Sequence, residues 1–158
     1  MHKEFLYDLT MIEDVVINDL ETHQDKRGFF REILRFTDEK FGSEFSDGKG
    51  QLSHSLAETG VIKGWHGHVW QSQLNYVVTG ELKVVLLDNR KNSRTYMQTL
   101  EIHINDKNRL VYYFPKGVLH GYECKKGPMN IIYYTSGSYD LTDEIRISRD
   151  DFRSVYEW

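Results

Sequence analysis

The chain is short of most features that mark specialised proteins, and each shortage excludes something. It has one cysteine, Cys124, in 158 residues. No internal disulfide can form, so a reducing cytoplasm is the expected setting. Two prolines and twelve glycines are too few for a linker or a low-complexity region, and no repeat of solenoid or propeller period is visible. No stretch approaches the ~20 apolar residues of a membrane-spanning helix. The opening MHKEFLYDLTMIEDVV lacks the basic and apolar regions of an export signal, so neither export nor a membrane partner is expected. Positive charge is also scarce. A formal net charge of −4, spread without blocks, leaves no electrostatic footprint for nucleic acid, although a few local cations suffice to hold the phosphates of a small molecule. Length alone points to one domain over residues 1–158, large enough to bury about two-thirds of its unfolded surface.

What the chain does have is short runs of aromatic and β-branched residues. DVVINDLETH, GQLSHSL, NYVVTGELKVVLLD, TYMQTLEIHI, RLVYYFP and NIIYYTSG all read as strands. The breaks between them, such as DKRG, DGKG, NRKNS, NDKN and KKGP, carry turn residues. Only FTDEKFGSEF, residues 36–45, predicts a helix, a short one with Thr37 as N-cap and Gly42 near its end. Gly80 interrupts the run from Leu74 to Leu87 and predicts two strands joined by a tight turn. Many short strands with almost no helix predict an all-β fold, a sandwich or jelly-roll barrel with one short helix. The ending DLTDEIRISRDDFRSVYEW mixes polar and apolar residues, and fits a return strand or an arm against a partner subunit.

The chemistry-bearing residues concentrate in two places. GVIKGWHGHVWQSQ places His66 and His68 one residue apart, followed by Gln73, and FPKGVLHGYE places His120 downstream. Residues i and i+2 of a strand share a face, so His66 and His68 can both point into a barrel lumen. With His120 from a facing strand they would offer three nitrogen ligands to a divalent ion, Gln73 being a weak neutral fourth. The plainer reading is that His68 only hydrogen-bonds. This spacing resembles the two motifs of the cupin superfamily, except that Gln73 stands where metal-binding members have Glu and Cys124 where the second motif often ends in Asn.

A second resemblance spans roughly residues 12–158. The ordered segments DKRGFFREI, QLSHS, GVIKGWH, TGELKVVLLDNRKNSRTY, FPKGVLHGYE, IIYYTSGSY and the closing EW are similar to the dTDP-4-dehydrorhamnose 3,5-epimerase family. The resemblance implies a metal-independent cupin enzyme without cofactor, usually a homodimer, that inverts centres flanking the 4-keto group of a nucleotide-linked 6-deoxy sugar. It places the catalytic base on His66 and the general acid on Tyr133, with His120 in the same pocket. Nucleotide and phosphate contacts fall near Arg27, Phe30, Glu32 and Gln51, and Tyr139 lies near the sugar. Carbon beside a ketone becomes acidic once the enolate oxygen is stabilised, so a neutral histidine can take its proton and a tyrosine across the ring can return one. Lys63 replaces the family's arginine before the base and Gln73 the lysine that polarises the ketone. The chain stops at Trp158, before the extension expected to place an aspartate behind His66; either the site uses substitutes such as Lys63 and His68, or the double epimerisation is not its reaction.

The remaining candidates each have a plain reading. Arg27 is either a solvated turn residue or, ahead of Phe29 and Phe30, a nucleotide contact. Glu32 either binds a pyrimidine edge or pairs with Arg35. His54 alternates with Leu52 and Leu56; if those face the core, His54 is buried with them or lines the lumen, and the lumen is the expectation. Tyr133 and Tyr134 must face opposite ways. His2, His23 and His103 read as surface residues, Cys124 as a small buried side chain, Trp65 and Trp70 as core filling, and Asp88 and Arg90 as a pair at a strand end. Three functions follow: an epimerase of a nucleotide-linked 4-keto sugar, a metal-dependent enzyme with His66, His68 and His120 as ligands, or a non-catalytic module that binds the sugar nucleotide.

Overall fold

The computed structural model describes residues 11–158; His2 lies outside them. Ten strands follow in order: β1 Val16–Asp19, β2 His23–Asp25, β3 Gly28–Phe30, β4 Gln51–Ala57, β5 Ile62–His68, β6 Gln73–Asp88, β7 Thr99–Asn105, β8 Leu110–Phe114, β9 Val118–Thr135 and β10 Glu144–Arg146. Their antiparallel pairing gives the expected all-β architecture, with β2 and β3 set apart as a separate hairpin.

The long strands β6 and β9 form the spine. They pair from Gln73↔Thr135 to Asp88↔Val118. At one end β8 and β4 flank them, and at the other β7 and β5 do. Gly80 therefore marks no turn: β6 runs on through it with shifted register between Val77 and Leu82. A Cβ on Gly80, at φ +88, would stand 2.6 Å from the Lys126 carbonyl oxygen. Glycine here lets the strand bend against β9 while keeping its hydrogen bonds.

Alternation along β6 explains its nearly unbroken apolar run. Leu82, Val84 and Leu86 face a core shared with Leu100, Ile102, Ile104, Tyr112 and Phe114. Val85 and Leu87 face the other way, onto Trp65 and Leu119 under Tyr156 and Trp158. Both faces are covered, so both sets of positions are apolar. The predicted helix is instead two 3-10 turns, Glu39–Phe41 and Ser43–Phe45, and the side chain of Asp38, not Thr37, caps the first. Their purpose is burial: Phe41 and Phe45 close an aromatic cluster with Tyr113, each worth roughly 1.5–3 kcal/mol. The C-terminal segment forms the return strand β10, followed by a 3-10 turn Arg149–Phe152, and ends with the Trp158 ring 5.2 Å from that of Trp65.

Candidate active site

A cleft of about 800 Å³ opens between β5, β6, β9 and β10, within the size range of small-molecule sites. His66 and His68 both line it, as strand alternation requires. Pairing with β9 sets His66 directly opposite His120, while β10 runs along the other edge with Glu144 opposite His68 and Arg146 opposite His66. The ring centroids are 4.9 Å apart for His66 and His68, and 5.3 Å for His66 and His120.

The three imidazoles differ in their partners. His68 Nδ1 lies 2.9 Å from Oδ2 of Asp143, a fully buried carboxylate whose other oxygen accepts the Trp70 backbone N–H at 2.7 Å. A carboxylate only accepts, so Nδ1 donates this bond, and in the neutral ring Nε2 is left as the acceptor. His66 Nε2 is 3.5 Å from Glu144 Oε1, too far for a good hydrogen bond, and Glu144 is itself paired with Arg146 at 2.6 Å. His66 Nε2, His120 Nε2 and the Tyr122 hydroxyl are buried without a hydrogen-bond partner among the described residues. Each such group costs about 1–3 kcal/mol, a cost that folds tend to accept at functional sites. Burial, and then the proximity of His68, pushes the His66 pKa down against the opposing pull of Glu144. Burial, with His66 and His68 nearby, holds His120 well below the ordinary histidine range.

Most of the other expected residues meet in the same cleft. Tyr133 lines it, as do Lys63, Gln51, Gln73 and Tyr139. Tyr134, on the opposite face of β9, packs against Phe45 and Phe36. Gln73 is buried and donates from Nε2 to Asn75 Oδ1 at 2.6 Å. Gln51 accepts the Tyr139 backbone N–H at 2.9 Å, and the Tyr139 side chain stands exposed at the rim. Lys63 reaches toward Ser55 and the Tyr122 ring.

Four expected residues stand elsewhere. His54 bonds Asn130 on the outer face of β4, beside exposed Leu52 and Leu56. The inward face of that strand carries Gln51 and Ser55, because it lines a polar cleft and not an apolar core. Arg27 is an exposed hairpin residue held by Asp25. Phe30 is exposed, and Glu32 pairs with Arg35 at 3.0 Å. Of the two tryptophans, Trp65 is buried as expected but Trp70 is half exposed.

Asp143, Glu144, Arg146 and Arg149 are the residues that sequence reasoning missed. The aspartate expected to be missing behind His66 has no hydrogen-bonded replacement there among the described residues, but Asp143 and Glu144, in the segment that forms β10, stand beside the histidines, one 2.9 Å from His68 and the other 3.5 Å from His66. The only signal was the charged stretch DEIR within an ambiguous ending. Among the described residues, no three His, Cys, Asp or Glu side chains are arranged to hold a metal ion. No helix among them is long and apolar enough to cross a membrane.

Comparison with known proteins agrees with this geometry. The family model for dTDP-4-dehydrorhamnose 3,5-epimerase matches residues 9–158. The spore coat polysaccharide biosynthesis protein SpsL of Bacillus subtilis is 40% identical over 94% of this chain and 97% of its own length. The dTDP-4-dehydrorhamnose 3,5-epimerase of Methanothermobacter thermautotrophicus is 31% identical over 98% of this chain and 84% of its own. Among solved structures, RmlC of Legionella pneumophila in complex with dTDP-4-keto-L-rhamnose superposes with a TM-score of 0.78 at 25% identity, covering 94% of this chain and 80% of that one. With the match running over nearly every described residue, the chain belongs to the dTDP-4-dehydrorhamnose 3,5-epimerase family.

Proposed function

We propose that the protein is an epimerase acting on a nucleotide-linked 4-keto-6-deoxy sugar by removing and returning a proton alpha to the ketone. The observation that carries this reading is that an imidazole held toward its neutral form by burial, His66, and a phenol, Tyr133, line one cleft in a chain of this family. A neutral histidine accepts the proton as the C–H electrons move into the enolate, and Tyr133 protonates the other face of that carbon. His120, Lys63 and Gln73 are placed to stabilise the enolate oxygen, which is worth a few kcal/mol per group. Substrate supplies its own electron sink in the ketone, so the reaction requires no cofactor.

Lys63, Arg146 and Arg149 line the cleft and offer the cationic surroundings that a diphosphate needs. Arg27, Phe30 and Glu32 lie outside it, on and beside a hairpin whose Phe29 and Phe30 are 64% and 66% exposed. A homodimer in which each copy lays that hairpin over its partner's cleft would restore their expected nucleotide contacts and cover those rings. A cytoplasmic setting suits both a free Cys124 thiol and a nucleotide-activated substrate. The names of relatives in spore coat polysaccharide and low-salt glycan biosynthesis support a role in building surface glycans.

The test is proton NMR of the purified protein with dTDP-4-keto-6-deoxyglucose in D2O. Loss of the C3 or C5 proton signal, slowed at least a hundredfold in His66→Ala and Tyr133→Phe variants, supports the reading. Tight binding without exchange makes the protein a sugar-nucleotide binding module instead.

A further inference from the structure

Of the three histidines in the cleft, only His68 has a carboxylate at hydrogen-bonding distance among the described residues, and its role is not explained by His66 acting as base. Asp143 is fully buried, and both its oxygens are taken, one by His68 Nδ1 at 2.9 Å and one by the Trp70 N–H at 2.7 Å. A buried carboxylate is costly unless paired, and here it fixes one ring orientation and one tautomer. The lone pair it leaves on Nε2 belongs to a ring that lines the cleft. His66 has no equivalent support, since Glu144 stands 3.5 Å away and is shared with Arg146.

We propose that His68, oriented by Asp143, is a second proton-transfer residue of the epimerase site. The inference rests on the epimerase reading above. In the step, the C–H bond alpha to the ketone breaks, its electron pair forms the enolate, and the proton lands on His68 Nε2. The resulting imidazolium is stabilised through Nδ1 by the Asp143 carboxylate. The charge is then released by returning the proton to carbon or exchanging it with solvent. Asp143 never meets substrate and is a positioning residue. The other titratable and charged groups around His68 are His66 on β5, His120 on β9, and Glu144 and Arg146 on β10. Burial pushes the first two histidines toward neutrality, with His68 a further cause in each case, so neither sets a positive charge beside the imidazolium that forms on His68.

The experiment compares wild type, His68→Gln and Asp143→Asn in D2O with dTDP-4-keto-6-deoxyglucose, after confirming that dTDP affinity and near-ultraviolet dichroism are unchanged. Proton transfer by a positioned residue is worth about 10²–10⁴-fold, so His68→Gln is expected to slow exchange at least a hundredfold. Asp143→Asn keeps an oxygen for the Trp70 N–H. It is expected to lower kcat about 10–100-fold at nearly constant KM, and to turn His68 to the Nε2–H tautomer, because the Asn amide that now faces Nδ1 donates where the carboxylate accepted. A purely structural Asp143 would lower kcat without changing that tautomer. A nitrogen-15 spectrum of the wild-type imidazoles supplies a substrate-free check, with His68 expected as the Nδ1–H tautomer at pH 7. The assignment is overturned if exchange in His68→Gln stays within threefold of wild type, or if His68 of the wild type is the Nε2–H tautomer. Absence of exchange in the wild type defeats the epimerase reading and the assignment with it.

Discussion

Replacing Asp88 by Asn should reveal how strongly one carboxylate ties the end of β6 to its surroundings. Asp88 is fully buried. Its Oδ1 accepts the Arg90 backbone N–H at 3.0 Å and Nε at 2.9 Å, and its Oδ2 accepts Arg90 Nη2 at 2.9 Å, the Ser93 hydroxyl at 2.6 Å and that of Thr95 at 2.7 Å. Arg90 in turn holds Asp14 and the Glu13 carbonyl, so the cluster fastens the 90–98 loop and the start of the described chain to one strand end. Burial alone would raise the Asp88 pKa, but the bonds from Arg90, Ser93 and Thr95 outweigh it and bring it to about 2, from an ordinary 3.8. At ~1.4 kcal/mol per unit, the charged form contributes roughly 2.5 kcal/mol. Because the folded pKa is depressed, that stability is fully present above the unfolded pKa near 4 and is lost as pH falls through about 2. Asn removes the charge and turns an amide donor toward Arg90 or the two hydroxyls. Arg90 keeps Asp14 and the Glu13 carbonyl, so the cost is about the 2.5 kcal/mol that the charge contributes. At roughly 2–4 °C per kcal/mol, Tm should drop by roughly 5–10 °C at pH 7. Circular-dichroism melts of both proteins from pH 7 to pH 2 test this, and the gap between them should narrow below pH 4. A Tm difference under 3 °C at pH 7, or a gap that stays constant across the range, would refute the reasoning.

Other predictions concern the cleft and its back wall. In Gly121→Ala the new methyl would stand 2.7 Å from both the Lys63 carbonyl oxygen and the Trp158 ring, so β5 and the C-terminal segment must shift; a loss of about 1–3 kcal/mol is expected in urea unfolding. His120 and His66, both shifted down by burial, are neutral in the folded state where the unfolded chain already binds protons. Stability should therefore be complete above pH 6.5 and fall below it, by at most about 1.4 kcal/mol per pH unit for each histidine. Urea midpoints at pH 7, 6 and 5 measure that slope, and His120→Asn should flatten it; an equally steep slope in the variant would contradict a neutral His120. His54→Ala, on the outer face of β4, should leave solvent exchange into substrate within twofold of wild type, measured by the same NMR assay.

Much of the site was readable because strand geometry is local. His66 and His68 share a face by alternation, and Tyr133 and Tyr134 cannot share one; the cleft contains the pair as that rule requires, and of the tyrosines it contains Tyr133, which the family resemblance and not periodicity had chosen. His54 failed by the same rule wrongly phased. The leucines beside it suggested an inward apolar face, whereas the inward face of β4 is polar because a cleft lies there. Gly80 was read as a turn because glycine alone cannot distinguish a bend within a strand from the end of one. Its role depends on Lys126 and Met129 across the sheet.

The sequence by itself determined the all-β class, the positions of most strands and the shared face of His66 and His68, because periodicity, turn residues and motif spacing act over a few neighbours; Tyr133 came from the family resemblance. Only the tertiary structure decided which charges stand beside those residues. Asp143 and Glu144 reach His68 and His66 because β10 returns along β5 in one particular register. Arg27 and Phe30 are kept out of their own chain's cleft because, among the described residues, their hairpin pairs only with itself. Pairing between segments far apart in the chain is a property of the assembled sheet, where the burial of both faces of β6 selects the register, and no local pattern encodes that choice.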